Sequence, residues 1–208
     1  VGQPFTFAFA QVGTNCGLVG QNACVEVDGA AYWMSENGFF RYAGKLESLP
    51  CLVEDFVYDS INLASGNQMV SAGLNNLFGE VMWFYPETGS SVVNRMVCYN
   101  YFDSSPQRPV WTVGSLARTM WRDSAVFGLP HATEYDADTD TSFDVVGNTE
   151  GRTSYYEHET GTDQNRNSTI TAITANITSG DFDITQQRAA TGQATGVATF
   201  RGDGEFIM

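Results

Sequence analysis

Four apolar runs follow one another closely in the middle of the chain: Gln68-Met69-Val70-Ser71-Ala72-Gly73-Leu74, Gly79-Glu80-Val81-Met82-Trp83-Phe84-Tyr85, Asn94-Arg95-Met96-Val97-Cys98-Tyr99-Asn100-Tyr101-Phe102 and Val110-Trp111-Thr112-Val113-Gly114-Ser115-Leu116. Each has the length of a strand, is rich in aromatic and β-branched residues, and is bounded by Gly, Asn, Asp or Pro. Together they predict one four-stranded antiparallel meander over residues 68–117.

The same rhythm extends outward in both directions. Upstream, Phe5 to Val12 alternates aromatics, and Ala30 to Ser35 and Gly38 to Ala43 flank Glu36-Asn37-Gly38, an Asn-Gly hairpin signal. A third short run reaches Leu49-Pro50-Cys51, so residues 1–51 read as a first unit. Between the two units, Leu52 to Ile61 spaces its apolar residues at helical intervals and predicts a short helix in a connector over 52–67. Asp55 and Asn62 are its candidate caps or turn formers. Downstream, Ser124 to Leu129, Thr153 to His158, Thr169 to Ile177 and Asp181 to Thr185 suggest a third unit over 124–208.

Recurrence of a four-strand set, with Trp33 and Trp83 spaced by about the 40 to 50 residues of a blade, favours an all-β, propeller-like fold with a short helical insert. A β-sandwich is the alternative. It needs about seven short strands around one core and does not predict the recurrence.

Composition agrees with a folded β protein. The 208 residues are 42% hydrophobic and 13% aromatic, with only 16% charged. A net charge of -14 argues against a surface that grips nucleic acid by neutralising phosphates. An acidic wall that a polyanion slides past without sticking remains compatible with it. No apolar run approaches the ~20 residues of a membrane helix. The start, Val1-Gly2-Gln3-Pro4, shows no secretory signal, and the end, Val197 to Phe200 with Gly204 to Met208, reads as a strand pair that simply stops. Both ends suggest a portion of a longer protein.

Candidate chemistry is sparse. Cys16, Cys24, Cys51 and Cys98 form no CxxC pair and have no His at ligand spacing, which argues against zinc. Three disulfide connectivities are open and the sequence selects none; Cys51 and Cys98, in apolar runs, read as buried free thiols. Asp136-Ala137-Asp138-Thr139-Asp140 has the 1, 3, 5 spacing of an EF-hand loop, but Thr141 stands where the turn glycine belongs and Gly147 where the bidentate Glu belongs. Asp136, Asp138 and Asp140 are therefore only a weak calcium candidate beside the plainer reading of a solvated acidic loop.

Glu157-His158-Glu159 with His131 and Glu134 has the residue types of a metal or acid-base site. On a strand, however, His158 would point away from its two neighbours. No Gly-x-Ser-x-Gly elbow and no phosphate-cradling glycine loop occurs. No catalytic or cofactor-binding residue is assigned. Paired carboxylates keep a glycan-binding propeller or a glycosidase as the alternative function. The sequons at Asn167 and Asn176 carry weight only in a secreted protein.

An ordered series of motifs carries a resemblance. Tyr32-Trp33-Met34-Ser35 with Phe39-Phe40-Arg41-Tyr42, Leu49-Pro50-Cys51 through Asp55-Phe56-Val57 to Ile61-Asn62, Phe78 to Pro86, Tyr99-Asn100-Tyr101, Trp111 to Gly114, Arg118 to Asp123 and Tyr156 to Gly161 run in this order. The series resembles the tail nozzle proteins of short-tailed bacteriophages, from about Ala30 to Ile184. Members of that family are several times longer, so the chain would be an internal portion.

The resemblance implies a structural, non-enzymatic subunit in the tail of the virion. It also implies a six-fold homo-oligomeric ring around the DNA exit channel, with other tail parts such as adaptor and fibres docking on its flanks. Genomic DNA would pass without tight binding. Under that reading Trp33, Phe40, Trp83, Tyr85 and Trp111 are the blade core.

Overall fold

The computed structural model describes residues 10–125, 127–136, 152–161, 163–166 and 169–172. It is all-β, with antiparallel sheets and a small helical insert. The chain divides into two compact units, residues 1–160 and 161–208. In the second, β12 (Asp163–Arg166) pairs antiparallel with β13 (Thr169–Ala172).

The first unit begins with a sheet in simple sequence order, β1 (Cys24–Val27), β2 (Ala30–Ser35), β3 (Gly38–Tyr42) and β4 (Leu46–Leu49). Asp28 and Gly29, both at positive φ, make the two-residue turn between Val27 and its partner Ala30, as the twist of a tight hairpin requires. β4 stops at Leu49 because Pro50 has no N–H to give the ladder. Of the alternating run at the start, residues 5–9 lie outside the described residues and 10–12 form no strand.

A helix α1 (Glu54–Ser60) and a single turn α2 (Leu63–Gly66) make the insert, followed by a 3-10 turn over Asn67–Met69. Asp55 does not cap α1. The N-cap is Val53, which makes no side-chain cap bond, and Asp55 sits with Glu54 in the first turn, where negative charge suits the positive end of the helix. So short a helix needs tertiary anchors. Val57 is fully buried, and the Tyr58 hydroxyl donates to the Ser35 carbonyl at 2.6 Å and accepts from the Gly38 N–H at 3.1 Å. At the far end the Asn62 N–H donates to the Pro86 carbonyl at 2.9 Å and its side-chain amide to the Ser90 carbonyl at 3.3 Å. The insert thus clips the β2–β3 turn to the loop after the second sheet's central strand.

That second sheet is the meander read from residues 68–117: β5 (Ser71–Asn75), β6 (Glu80–Tyr85), β7 (Arg95–Asn100) and β8 (Trp111–Gly114), again in sequence order. Its first strand starts three residues later than the apolar run, since Gln68 and Met69 belong to the 3-10 turn. A third sheet follows with β9 (Met120–Arg122), β10 (His131–Asp136) and β11 (Arg152–Glu157). The expected strand over Ser124–Leu129 does not form: its described residues, all but Val126, make turns and bends instead. The Gly128 N–H donates to the Ser124 carbonyl at 2.8 Å, and Gly128 takes a φ of +85°.

Side-chain alternation stacks these three sheets face to face. From the first sheet Val27, Tyr32, Met34, Phe39 and Leu49 point at the second, whose Val81, Trp83, Tyr85 and Val97 meet them. The other face of the second sheet carries Met82, Phe84 and Cys98, which pack with Val93 and with Trp121 of β9. β6 is therefore buried on both faces, which is why its sequence is continuously apolar rather than alternating. The first strands are neighbours: β5 lies beside both β1 and β9, and the Ala72 N–H donates to the Asn22 carbonyl at 2.7 Å across a parallel bridge. Stacked meanders with adjoining first strands are the local arrangement of blades. Among the described residues they form an open series and close neither a propeller nor a barrel.

The core differs from the expected one by a face. Trp83 and Tyr85 are fully buried, but Trp33 and Phe40 are only half-buried. They stack on each other at 5.8 Å on the side of the first sheet away from the second. The Trp33 indole N–H donates to the Cys16 carbonyl at 2.7 Å. Phe39, one residue from Phe40, is the inward ring, 5.0 Å from Trp83 and 4.8 Å from Trp111. Trp111 closes this cluster at its half-buried edge and donates its indole N–H to the Pro50 carbonyl at 2.8 Å.

Gly73 sets the spacing between the second and third sheets. A Cβ there would lie 2.7 Å from the Trp121 ring, whose N–H donates to the neighbouring Leu74 carbonyl at 2.8 Å. Gly73→Ala is expected to lower stability by about 1–3 kcal/mol in urea unfolding and to red-shift the Trp121 fluorescence as the ring is pushed out. An unchanged midpoint would mean that the third sheet shifts at no cost.

Candidate functional site

Polar side chains converge in two places in the first unit. In the third sheet, Arg118 precedes β9 and is only 7% exposed. Its Nη1 donates to Glu134 Oε2 at 2.8 Å and to the Ala117 carbonyl, its Nε donates to His158 Nε2 at 3.0 Å, and its guanidinium lies 4.1 Å from the centre of the Tyr156 ring. One cation thereby joins β10, β11 and the residue after β11. His158 also packs against the Trp121 ring at 4.6 Å.

Because His158 Nε2 accepts from a guanidinium, the imidazole is neutral and carries its proton on Nδ1. Burial, then the positive charges of Arg118 and His131, push its pKa down to about 4. The lone pair that a general base would use is committed to Arg118, so this cluster braces rather than catalyses. A histidine depressed on folding contributes stability that is fully present above its unfolded pKa of about 6.5 and is lost as pH falls toward about 4. The ring is partly solvated, so the loss is about 1–2 kcal/mol after screening. His158→Gln, whose amide oxygen can still accept from Arg118, is expected to remove that share of the acid destabilisation between about pH 6.5 and about pH 4. Urea midpoints for both proteins across this window check it, and parallel profiles would refute it.

The second convergence joins a strand end to the segment beyond β11. Asn75, 3% exposed at the end of β5, donates its amide to Glu80 Oε2 at 3.3 Å and to Glu159 Oε1 at 3.2 Å. Glu80 opens β6 directly across the ladder from Asn75, and Glu159 takes a positive φ of 61° just after His158. Burial and then the nearby Glu159 carboxylate push the Glu80 pKa up. An open cavity of about 190 Å³ lies nearby, lined in part by Val25, Leu74, Trp121, Arg122 and Asp123.

The weak calcium candidate is not assembled on the described residues. Asp136 ends β10, while Asp138 and Asp140, like both sequon asparagines, lie outside them. His158 lies just after the strand rather than on it. His158 and Glu134 do share a site through Arg118, which the sequence reading left out, whereas His131 faces the other way and contacts the Tyr155 hydroxyl. Glu159 instead meets Asn75 and Glu80. All four cysteines are free; burial pushes the Cys98 thiol up to about 12 and the half-buried Cys51 thiol up to about 11. No sequence spacing could have revealed the Asn75, Glu80 and Glu159 trio, since its third member arrives only through the stacking of one sheet on the next. Among the described residues no helix is long and apolar enough to cross a membrane.

In comparisons with known proteins, no family model matches the chain and no curated relative is significantly similar to it.

Proposed function

We propose that the chain is a structural subunit of the tail nozzle of a short-tailed bacteriophage, forming part of the DNA ejection conduit and a docking surface for other tail parts. One observation carries this reading. The residues on which the resemblance rests, Tyr32, Phe39, Trp83, Trp111 and Trp121 among them, are those that weld successive sheets into a stack. What recurs is a mechanical framework. In it these rings serve packing, and the sheets are joined by ring contacts and apolar side chains. The net charge of -14 suits a wall past which a polyanion slides.

Mass measurement in solution and electron microscopy of the full chain, alone and with a candidate adaptor, test the reading. Ring-like oligomers or a stable adaptor complex, with no retardation of duplex DNA, are expected. A strict monomer that ignores the adaptor, or tight and salt-sensitive DNA binding, would overturn it.

A second reading is favoured by the Glu80 and Glu159 pair: a glycan-binding or glycan-hydrolysing protein that uses two carboxylates in different environments. Binding on a glycan array that is lost in Glu80→Gln would select it over the nozzle.

A further inference from the structure

We infer that His158 is the bolt of an acid-released latch: its neutral ring holds residues 158–160 against the second and third sheets, and a proton on that ring frees them while the sheets stay folded. The inference does not depend on the nozzle or the glycan reading. It rests on where the ring sits. Arg118 Nε can only donate, and it donates to His158 Nε2 at 3.0 Å, so a proton at Nε2 sets two positively charged N–H groups against each other. The guanidinium is not free to move away. It is 7% exposed, bound through Nη1 to Glu134 and the Ala117 carbonyl, and seated on the Tyr156 ring. The imidazole is the partner that must leave.

What leaves with it is a short segment held by few contacts. Residues 158–160 follow β11 and belong to no strand. The His158 N–H donates to the Pro130 carbonyl at 2.8 Å, its ring packs on Trp121 at 4.6 Å, and Glu159 accepts from the Asn75 amide at 3.2 Å. Glu159 also sits at a φ of 61°, a conformation that favours glycine, so its backbone gains by opening. The two sheets are joined independently, by Trp121 stacked on Phe84 at 5.9 Å and by the bond from its indole N–H to the Leu74 carbonyl. The segment can therefore open without dismantling the stack. Opening adds residues 158–160 to the chain that leads into the second unit at Gly161.

The charges around the ring fix the direction of the switch. Burial, then Arg118 before β9 and His131 on β10, resist a proton on His158, while the Glu134 carboxylate on β10 is already spent on Arg118. Tyr156 on β11 brings a ring and no charge at acid pH. A ring held at about 4 when closed, and free to titrate near its ordinary value of about 6.5 when open, takes up its proton in the open form between those limits. The open population therefore rises as pH falls through that window and levels off below about 4. Glu80 acts in the opposite sense. Burial and then Glu159 push its carboxyl up, so a proton there eases the like-charge contact and favours the closed segment as pH falls.

Hydrogen exchange of the full chain, read amide by amide and corrected for the pH dependence of the exchange chemistry itself, tests the latch. Between about pH 7.5 and about pH 4.5 the His158 N–H is expected to lose protection by at least about tenfold, while the amides of β6 keep theirs. In His158→Gln the side-chain oxygen still accepts from Arg118 but takes up no proton, so protection at position 158 should stay level across the range. Glu80→Gln removes the opposing titration and should lose protection at least as steeply as the parent. The inference is overturned by protection at His158 that ignores pH, or by a loss that β6 shares equally, which is unfolding of the whole unit. It is overturned as well if His158→Gln still loses protection or if Glu80→Gln does not.

Discussion

Trp83→Ala is expected to destabilise the first unit by about 3–5 kcal/mol, the largest effect of any single aromatic truncation among the described residues. The ring is fully buried and touches both neighbours in the inter-sheet cluster, Phe39 at 5.0 Å and Trp111 at 6.2 Å. Its indole N–H donates to the Ala23 carbonyl at 3.0 Å, so truncation also removes one of the two hydrogen bonds that this carbonyl accepts, the other coming from the Met34 N–H at 3.1 Å. Cavity, lost ring contacts and lost hydrogen bond act in the same direction.

Trp33→Ala is the internal control. The two tryptophans hold similar central places in their sheets, yet Trp33 is half-buried on the face turned away from the second sheet. Its removal should cost about 1–2 kcal/mol, the value of a partial burial plus one hydrogen bond. Urea unfolding of both variants checks the contrast. Equal losses would mean that the outer face of the first sheet is as tightly packed as the inner one.

The same pair of residues explains what could be read without coordinates. Strand positions were legible because the apolar runs are short and bounded by turn residues, and the turns obey local chemistry, as Asp28-Gly29 does. Which face is buried was not. Tyr32-Trp33-Met34 and Phe39-Phe40 put large rings on both sides of their strands, so a period of two offers no polar face to mark the outside. Only the arrival of the second sheet decides for Tyr32, Met34 and Phe39.

The strand at Met120–Arg122 was hidden for a related reason. Three residues are too few for a period, while the apolar run after it, 124–129, is bent into a turn through Gly128. The Asn75, Glu80 and Glu159 cluster escaped the sequence, and the other was grouped only in part, His158 with Glu134 but without Arg118, because each depends on pairs far apart in the chain. Asn75 with Glu159 and Arg118 with His158 are examples. Glu157, His158 and Glu159 are neighbours in sequence, and on a strand such neighbours point in opposite directions.

Arg118→Met is the second large effect expected, about 3 kcal/mol of lost stability. Its guanidinium is 7% exposed and serves Glu134, His158, the Ala117 carbonyl and the Tyr156 ring together. Methionine can fill the space, but the Glu134 carboxylate, with 27% of its side chain exposed, is then left without its cation in a half-buried site. Water can reach it in part, which places the cost at the lower end of that for a broken buried pair. The double variant Arg118→Met with Glu134→Leu separates the two components. If the loss comes from the stranded charge, the second substitution should recover about half of it or more, because an apolar pair can replace a buried ion pair at little net cost. If instead the double variant is as unstable as Arg118→Met, the bonds to His158, the Ala117 carbonyl and the ring of Tyr156 carry the stability. The salt bridge would then be incidental to how the third sheet is held.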